Sequence, residues 1–239
     1  MFNKTPHISL VDELTSQLRE AIVSGVYPAG TIFNQPLLAE EFKVSRTPIR
    51  EALKKLEHEG FVVTGKRRQI MVRGLDFRHL SQLYRVREVI DGLGARILAE
   101  QSKTIKVQKV IEQLKKILEE MESVIYSWDP AQWSQCNVDF HTSIVEATEN
   151  APLISQKPLL RMSGEMFYPA ILVHPQRGKA ALDEHYMILR AIQQGEVDLA
   201  ENFARIHIRQ AQNIVNSIID KNKHDPQYGQ KVILEEILE

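Results

Sequence analysis

A chain of 239 residues with 43% hydrophobic and 26% charged residues holds enough apolar surface for one large core or two ordinary ones, and two domains are the expectation. No apolar run approaches the roughly 20 residues of a membrane span, which excludes a helical membrane protein, and the N-terminus lacks the basic-then-apolar order of a secretory signal. The single cysteine, Cys136, excludes an intrachain disulfide and fits a reducing cytoplasm, while a net charge of −1 excludes a uniformly basic nucleic-acid binder.

The charge is unevenly spread. Basic residues modestly outnumber acidic ones over residues 1–74, and the reverse holds over 75–239, so the front end permits nucleic-acid binding without demanding it. Leu10, Leu14, Leu18 and Ile22 repeat every four residues, with Val11 and Ala21 widening the stripe, and predict an amphipathic helix that stops at Ser24-Gly25. Tyr27-Pro28-Ala29-Gly30 turns the chain. Asn34 can cap a short second helix carrying Leu37, Leu38 and Phe42 and ending by Val44, and Ser45 or Thr47 can cap a third, with Pro48 in its first turn.

In that third helix Ile49, Ala52, Leu53 and Leu56 fall at i, i+3, i+4 and i+7 and face the core, which leaves Arg46, Arg50 and Lys54 in an exposed row. A plain solvated face shows the same row. A short helix, a tight turn and a helix that offers Arg to solvent is also the layout of a helix-turn-helix, whose second helix enters the major groove. Gly60 then ends the helix, and Phe61–Thr64 and Ile70–Val72 read as two strands joined by the basic hairpin Gly65-Lys66-Arg67-Arg68. A basic hairpin beside such a helix is a wing, placed to touch DNA phosphates or a minor groove.

Val44-Ser45-Arg46-Thr47-Pro48-Ile49-Arg50-Glu51-Ala52-Leu53, then Leu56-Glu57 and Glu59-Gly60-Phe61, resembles the signature of the GntR family of bacterial regulators, with the similarity running from about Leu10 to Val72. The resemblance implies a winged-helix domain in which Arg46, Thr47 and Arg50 contact a double-stranded operator from the recognition helix, and Gly65 and Lys66 contact it from the wing. Lys54 and Arg67 extend the same basic surface. The family often has a glycine in the second wing strand, where this chain has Arg68-Gln69-Ile70.

Residues 73–79 read as a linker. Beyond it only Pro and Gly punctuate helical patterns, near 77–101, 104–127, 130–149, 152–173, 178–194 and 197–221, and predict an antiparallel all-α bundle over 75–221. Polar residues sit on its apolar faces. Arg87 falls within the stripe Leu80, Leu83, Ile90, Gly94, Ile97 and Leu98, with Asp91 one turn later. A buried guanidinium needs an anion, and either Asp91 or a ligand carboxylate could supply it. Asn137 and His141 lie four apart among Trp133, Phe140, Ile144 and Val145. His185 lies among Leu182, Ile188, Leu189 and Ile192, and His207 among Ala200, Ala204, Ala211 and Ile214. One histidine on an apolar face is ordinarily a satisfied core residue, but three on three helices are a candidate metal site.

Asn137-Val138-Asp139-Phe140-His141, Glu184-His185-Tyr186 onward to Ile192, and Ala204-Arg205-Ile206-His207-Ile208 resemble the motifs of the FCD class, a ligand-binding branch of the GntR regulators, and Arg85–Arg96 resembles the start of that domain. The resemblance implies a divalent ion, commonly zinc or nickel, held by an Asp and three His, with a small organic acid effector completing its shell. Here Asn137 stands where the Asp is expected, which removes a negative charge from the ligand set. Asp139 points away from His141, two residues being about 200° around a helix. His174 is a weaker candidate for the cavity, and Arg161 for the effector beside Arg87.

The function read from these residues is a ligand-responsive DNA-binding regulator, a homodimer because helix-turn-helix proteins generally read two-fold sites. The competing reading is a helical metal-dependent hydrolase or lyase fused to a DNA-binding module. Against it, no carboxylate is evident near the three His to serve as general base. The tail, 222–239, reads either as a short amphipathic helix through Val232, Ile233, Ile237 and Leu238 or as disordered.

Overall fold

In the computed structural model, which describes residues 9–23, 26–65, 68–73, 77–127, 129–166 and 175–221, the chain divides into two units, Met1–Gly74 and Leu75–Glu239. The first contains α1 (Leu10–Val23), β1 (Ile32–Phe33), α2 (Gln35–Glu41), α3 (Arg46–His58), β2 (Val62–Thr64) and β3 (Ile70–Val72). Its core forms where Leu14, Leu18 and Ile22 of α1 meet Ile49, Ala52, Leu53 and Leu56 of α3, all buried. Leu10 is 50% exposed and Leu37 61%. Leu37 lies 100° round α2 from the buried Leu38 and so stands off the apolar face.

Asn34 caps α2, its Oδ1 accepting from the Leu37 amide at 3.4 Å, whereas Ser45 occupies the N-cap of α3 without a side-chain bond. The turn between the two helices passes through Lys43 at φ 55°. Arg19 of α1 clasps Glu59 beyond the end of α3 through Nε at 3.0 Å and Nη2 at 2.7 Å.

The sheet has one strand more than the sequence suggests: the order is β1-β3-β2, antiparallel throughout. A two-residue strand such as β1 is too short to show an alternating pattern. At the hairpin, Gly65 donates its amide to the Gln69 carbonyl at 2.8 Å. Arg68 takes a left-handed φ of 58°, a conformation that glycine meets at least cost. Lys66 and Arg67 lie outside the described residues.

The second unit contains α4 (Phe77–Glu100), α5 (Ile105–Ser127), α6 (Pro130–Ala147), α7 (Ala151–Ile154), α8 (Lys157–Arg161), a π-helical turn (Met162–Met166), α9 (Pro175–Gln194) and α10 (Val197–Lys221). α4 and α10 run antiparallel: Arg96 reaches Asp198 at 2.9 Å, and Ser81 donates to Asn216 at 2.7 Å. The core gathers Ile111, Leu114 and Leu118 of α5, Trp133 and Phe140 of α6, and Ile188 and Ile192 of α9. Asp129 starts α6 by accepting from the amides of Ala131 and Gln132 at 2.9 and 3.0 Å.

The single helix expected over 152–173 is broken into α7, α8 and the π-helical turn. Pro158 is the reason: inside a continuous helix it would lack the amide hydrogen and clash with the preceding turn, so the helix restarts there, with the proline in its first turn. His174 and the tail at 222–239 lie outside the described residues.

Candidate metal centre and nucleic-acid interface

On α3 the row Arg46, Arg50 and Lys54 is exposed, as is Thr47, while the opposite face is fully buried. Arg50 and Lys54 each reach the carboxylate of Glu51 at 3.4 Å, loose surface pairs that a phosphate or base edge can displace at little cost. Gly65 ends β2 at the root of the hairpin.

In the second unit the structure brings three imidazoles together. His141 comes from α6, His185 from α9 and His207 from α10, and they are 4%, 0% and 3% exposed. Their Nε2 atoms lie 3.4 Å (His185 to His141), 3.2 Å (His185 to His207) and 3.2 Å (His207 to His141) apart.

Two carboxylates hold the far edges of these rings. His141 Nδ1 donates to Asp91 at 2.5 Å, and His207 Nδ1 donates to Glu184 at 2.6 Å. Each carboxylate is clamped in turn by an arginine. Arg87 meets Asp91 through Nε and Nη2, both at 3.1 Å, and Arg177 meets Glu184 through Nη1 at 2.9 Å and Nη2 at 3.1 Å. Bidentate pairs of this kind fix orientation as well as charge. Arg87 also donates to Ser163 Oγ on the π-helical turn at 3.1 Å. The phenyl ring of Phe140 lies 4.4 Å from the His185 ring, centroid to centroid.

Burial pushes the His141 imidazole down to about 4 even though Asp91 opposes the shift. His185 is driven well below its ordinary value by burial, then by His207 and His141. His207 is lowered by burial against the pull of Glu184. Burial raises the Asp91 carboxyl, but Arg87 and His141 together outweigh it and keep Asp91 ionised. Glu184 is likewise held low against burial by its bonds to His207 and Arg177.

At neutral pH the rings are therefore neutral. The Nδ1 bonds fix the tautomers of His141 and His207, so their Nε2 lone pairs face one another and His185. Lone pairs converging at this spacing are favourable around a cation. Bonds of about 2.0 to 2.1 Å to a tetrahedral zinc ion would set nitrogen atoms roughly 3.3 Å apart. Asn137, one turn before His141, is 2% exposed, and its Oδ1 is buried without a hydrogen-bond partner. The donor set fits a divalent ion.

Arg87 forms the internal pair with Asp91, one of the two partners that the sequence offers it. Among the described residues Arg161, partly buried at the end of α8, takes no part in the hydrogen bonds around the triad, and Arg177 is the second guanidinium there. Asp139 is held away by Gln135 at 3.0 Å. The expectation that no carboxylate stands near the triad is corrected by Asp91 and Glu184. Glu184 is adjacent to His185 in sequence and so projects about 100° around α9, toward His207. The seven-residue step from Arg177 to Glu184, which puts both on one helix face, was the available signal.

A family model described as bacterial regulatory proteins, gntR family, matches residues 10–72, and one described as the FCD domain matches residues 82–210. The chain belongs to the GntR family. This GntR regulator is 31% identical over 188 residues to a gluconate operon transcriptional repressor of Bacillus licheniformis, covering 77% of this chain and 75% of that one. It is 26% identical over 199 residues to a probable D-xylose utilization operon transcriptional repressor of Paenarthrobacter nicotinovorans, covering 82% and 85%. Among solved structures, Escherichia coli McbR/YncC superposes with a TM-score of 0.71 at 20% identity, over 89% of this chain and 99% of that one. A GntR regulator from Rhodococcus superposes at 0.70 and 16% identity, over 87% and 97%. The winged helix and helical domain are thus those of transcription regulators, not of an enzyme. Among the described residues no helix is long and apolar enough to cross a membrane.

Proposed function

We propose that this GntR regulator is a ligand-controlled repressor, acting in the cytoplasm as a homodimer on a two-fold operator. α3 enters the major groove with Arg46, Thr47, Arg50 and Lys54, and the hairpin at Gly65, Lys66 and Arg67 reaches the flanking backbone. His141, His185 and His207, with the amide oxygen of Asn137, hold zinc or nickel, which supplies a positive centre for a small carboxylate. Asn137 brings no charge, so an anionic ligand contributes what the protein lacks. Arg87 serves the site through Asp91 and His141, and the buried Tyr84 hydroxyl, without a partner, is available to the acid. The similarity to gluconate operon repressors favours a sugar acid as effector.

The observation that carries this reading is the meeting of three Nε2 atoms, two of them on rings oriented by Arg-carboxylate arms. The experiment is binding of the full chain to DNA selected from a random pool, with zinc or nickel present and sugar acids titrated in. Affinity for the selected DNA should change at least about tenfold with acid only when the ion is bound, as coupled sites require. Failure of the apo protein to take up either ion, together with DNA affinity indifferent to every acid, would sink the reading.

A further inference from the structure

Of the three imidazoles in the helical unit, only two have their tautomers set from outside. His141 and His207 each give the Nδ1 proton to an arginine-clamped carboxylate, at 2.5 and 2.6 Å, which leaves a lone pair on each Nε2. His185 has no such arm. Its Nδ1 is buried without a hydrogen-bond partner among the described residues, and the Phe140 phenyl lies against the ring, 4.4 Å between centroids. As a neutral ring it carries one proton, and either nitrogen can hold it.

The two choices differ in what they leave unpaired. A proton on Nδ1 is a buried donor with no acceptor, and it turns a third lone pair toward the two that already face each other across 3.2 Å. A proton on Nε2 instead enters the gap between them. His185 Nε2 lies 3.2 Å from His207 Nε2 and 3.4 Å from His141 Nε2, so one N–H can be shared by both in a three-centre bond. Both lone pairs then gain a donor. Only a lone pair on Nδ1 is left without a partner, and a buried acceptor bears that better than a buried N–H.

We propose that in the metal-free protein His185 holds its proton on Nε2 and donates it to His207 and His141, the reverse of the tautomer in which it can ligate an ion. The proton of His185 ties the three rings together where a cation would otherwise do so. To face an ion, His185 must change tautomer: its Nε2 proton passes to water while Nδ1 takes one from water, and the ring's charge and proton count are unchanged. That exchange rests on the ion site of the reading above; the metal-free arrangement does not. After the exchange His185 is the one ligand whose Nδ1–H lacks an acceptor, and so the least supported of the three.

Nuclear magnetic resonance of the full chain, labelled with nitrogen-15 and carbon-13 on histidine, tests it. Two-bond correlations from the ring protons on carbon separate a protonated ring nitrogen from a bare one, and through-bond transfer from Cβ assigns each ring without any substitution. In metal-free protein at neutral pH, His141 and His207 should carry the proton on Nδ1 and His185 on Nε2. Zinc, which is diamagnetic, should move the His185 proton to Nδ1 and leave the other two as they were. A metal-free His185 with its proton on Nδ1 overturns the inference and leaves the ion site standing. A His185 that keeps its Nε2 proton in excess zinc overturns the exchange and the ion site together. Melting of the metal-free chain gives a second readout. His185→Gln, whose amide can donate from about the same place, should melt close to the wild type, and His185→Met, similar in size but without a donor, should melt clearly lower. Equal melting of the two variants overturns the donor role of His185.

Discussion

Glu184 and Asp91 show how a site can be decided by groups that do not point into it. Each fixes the tautomer of a ring and is itself held by an arginine, so either arm weakens if its outer member is lost. Glu184→Gln should lower zinc affinity by about 10- to 100-fold, the usual cost of removing a carboxylate behind a ligating histidine. Arg87→Ala should do so as well, because Asp91 would be left buried without a counter-charge to hold it against His141; calorimetric titration of the ion reads both. Asn137→Asp should act oppositely, tightening the ion and reducing the gain that an acid brings.

The same rings predict how stability follows pH. The unfolded chain takes up protons on these histidines near pH 6.5, the folded chain only further down, at about 4 for His141. In that window the unfolded state binds more protons, so stability is complete above about 6.5 and is lost as pH falls toward 4. His141 alone would cost on the order of 3 kcal/mol across the window. Melting temperatures of the metal-free protein that are flat between pH 7 and 5 would contradict the burial of neutral imidazoles.

At the scale of elements, the π-helical turn is where the local pattern and the result diverge most. Ser163 accepts from Arg87 at 3.1 Å and donates to the carbonyls of Leu159 and Leu160 at 3.0 Å, and Ser134 donates to the Gly164 carbonyl at 2.8 Å. A Cβ on Gly164 would overlap the Cγ2 of Val138, so the glycine permits the turn to lie directly on α6. Gly164→Ala should destabilise the helical unit by about 1 to 3 kcal/mol, and Val138→Ala in the same chain should recover part of it, both read by denaturant unfolding. In the wing, Arg68→Gly should relieve a left-handed conformation that costs about 1 kcal/mol.

The long helices were legible because α3, α4, α5 and α10 carry repeated apolar spacings, and the three histidines announced themselves by sitting on such faces. β1 and the broken stretch after Asn150 were not legible. The first is two residues long, and the second is governed by Pro158 and by packing on α6, neither of which a periodic pattern reports. The Glu184 and Arg177 arm was hidden for another reason: both are charged residues on a helix that also shows charge to solvent.

For the whole molecule, the two units have separate cores, one built on α1 and α3 and the other on α5, α6 and α9. Calorimetry should resolve two transitions, and zinc should raise only the one that belongs to the helical unit. On the DNA side, Arg50→Ala should cost about 1 to 3 kcal/mol on selected DNA and blunt its preference over random sequence, measured by competition gel shift.

The neutral triad has a further consequence for the heat that accompanies ion uptake. Histidine ligands usually surrender protons when a metal arrives, and those protons are taken up by the buffer. Here the rings have already shed them by virtue of burial. Uptake of zinc at pH 6, where ordinary imidazoles would still hold most of their protons, should therefore release few, and the measured enthalpy should be nearly the same in MES as in cacodylate, although the two buffers differ in heat of ionisation.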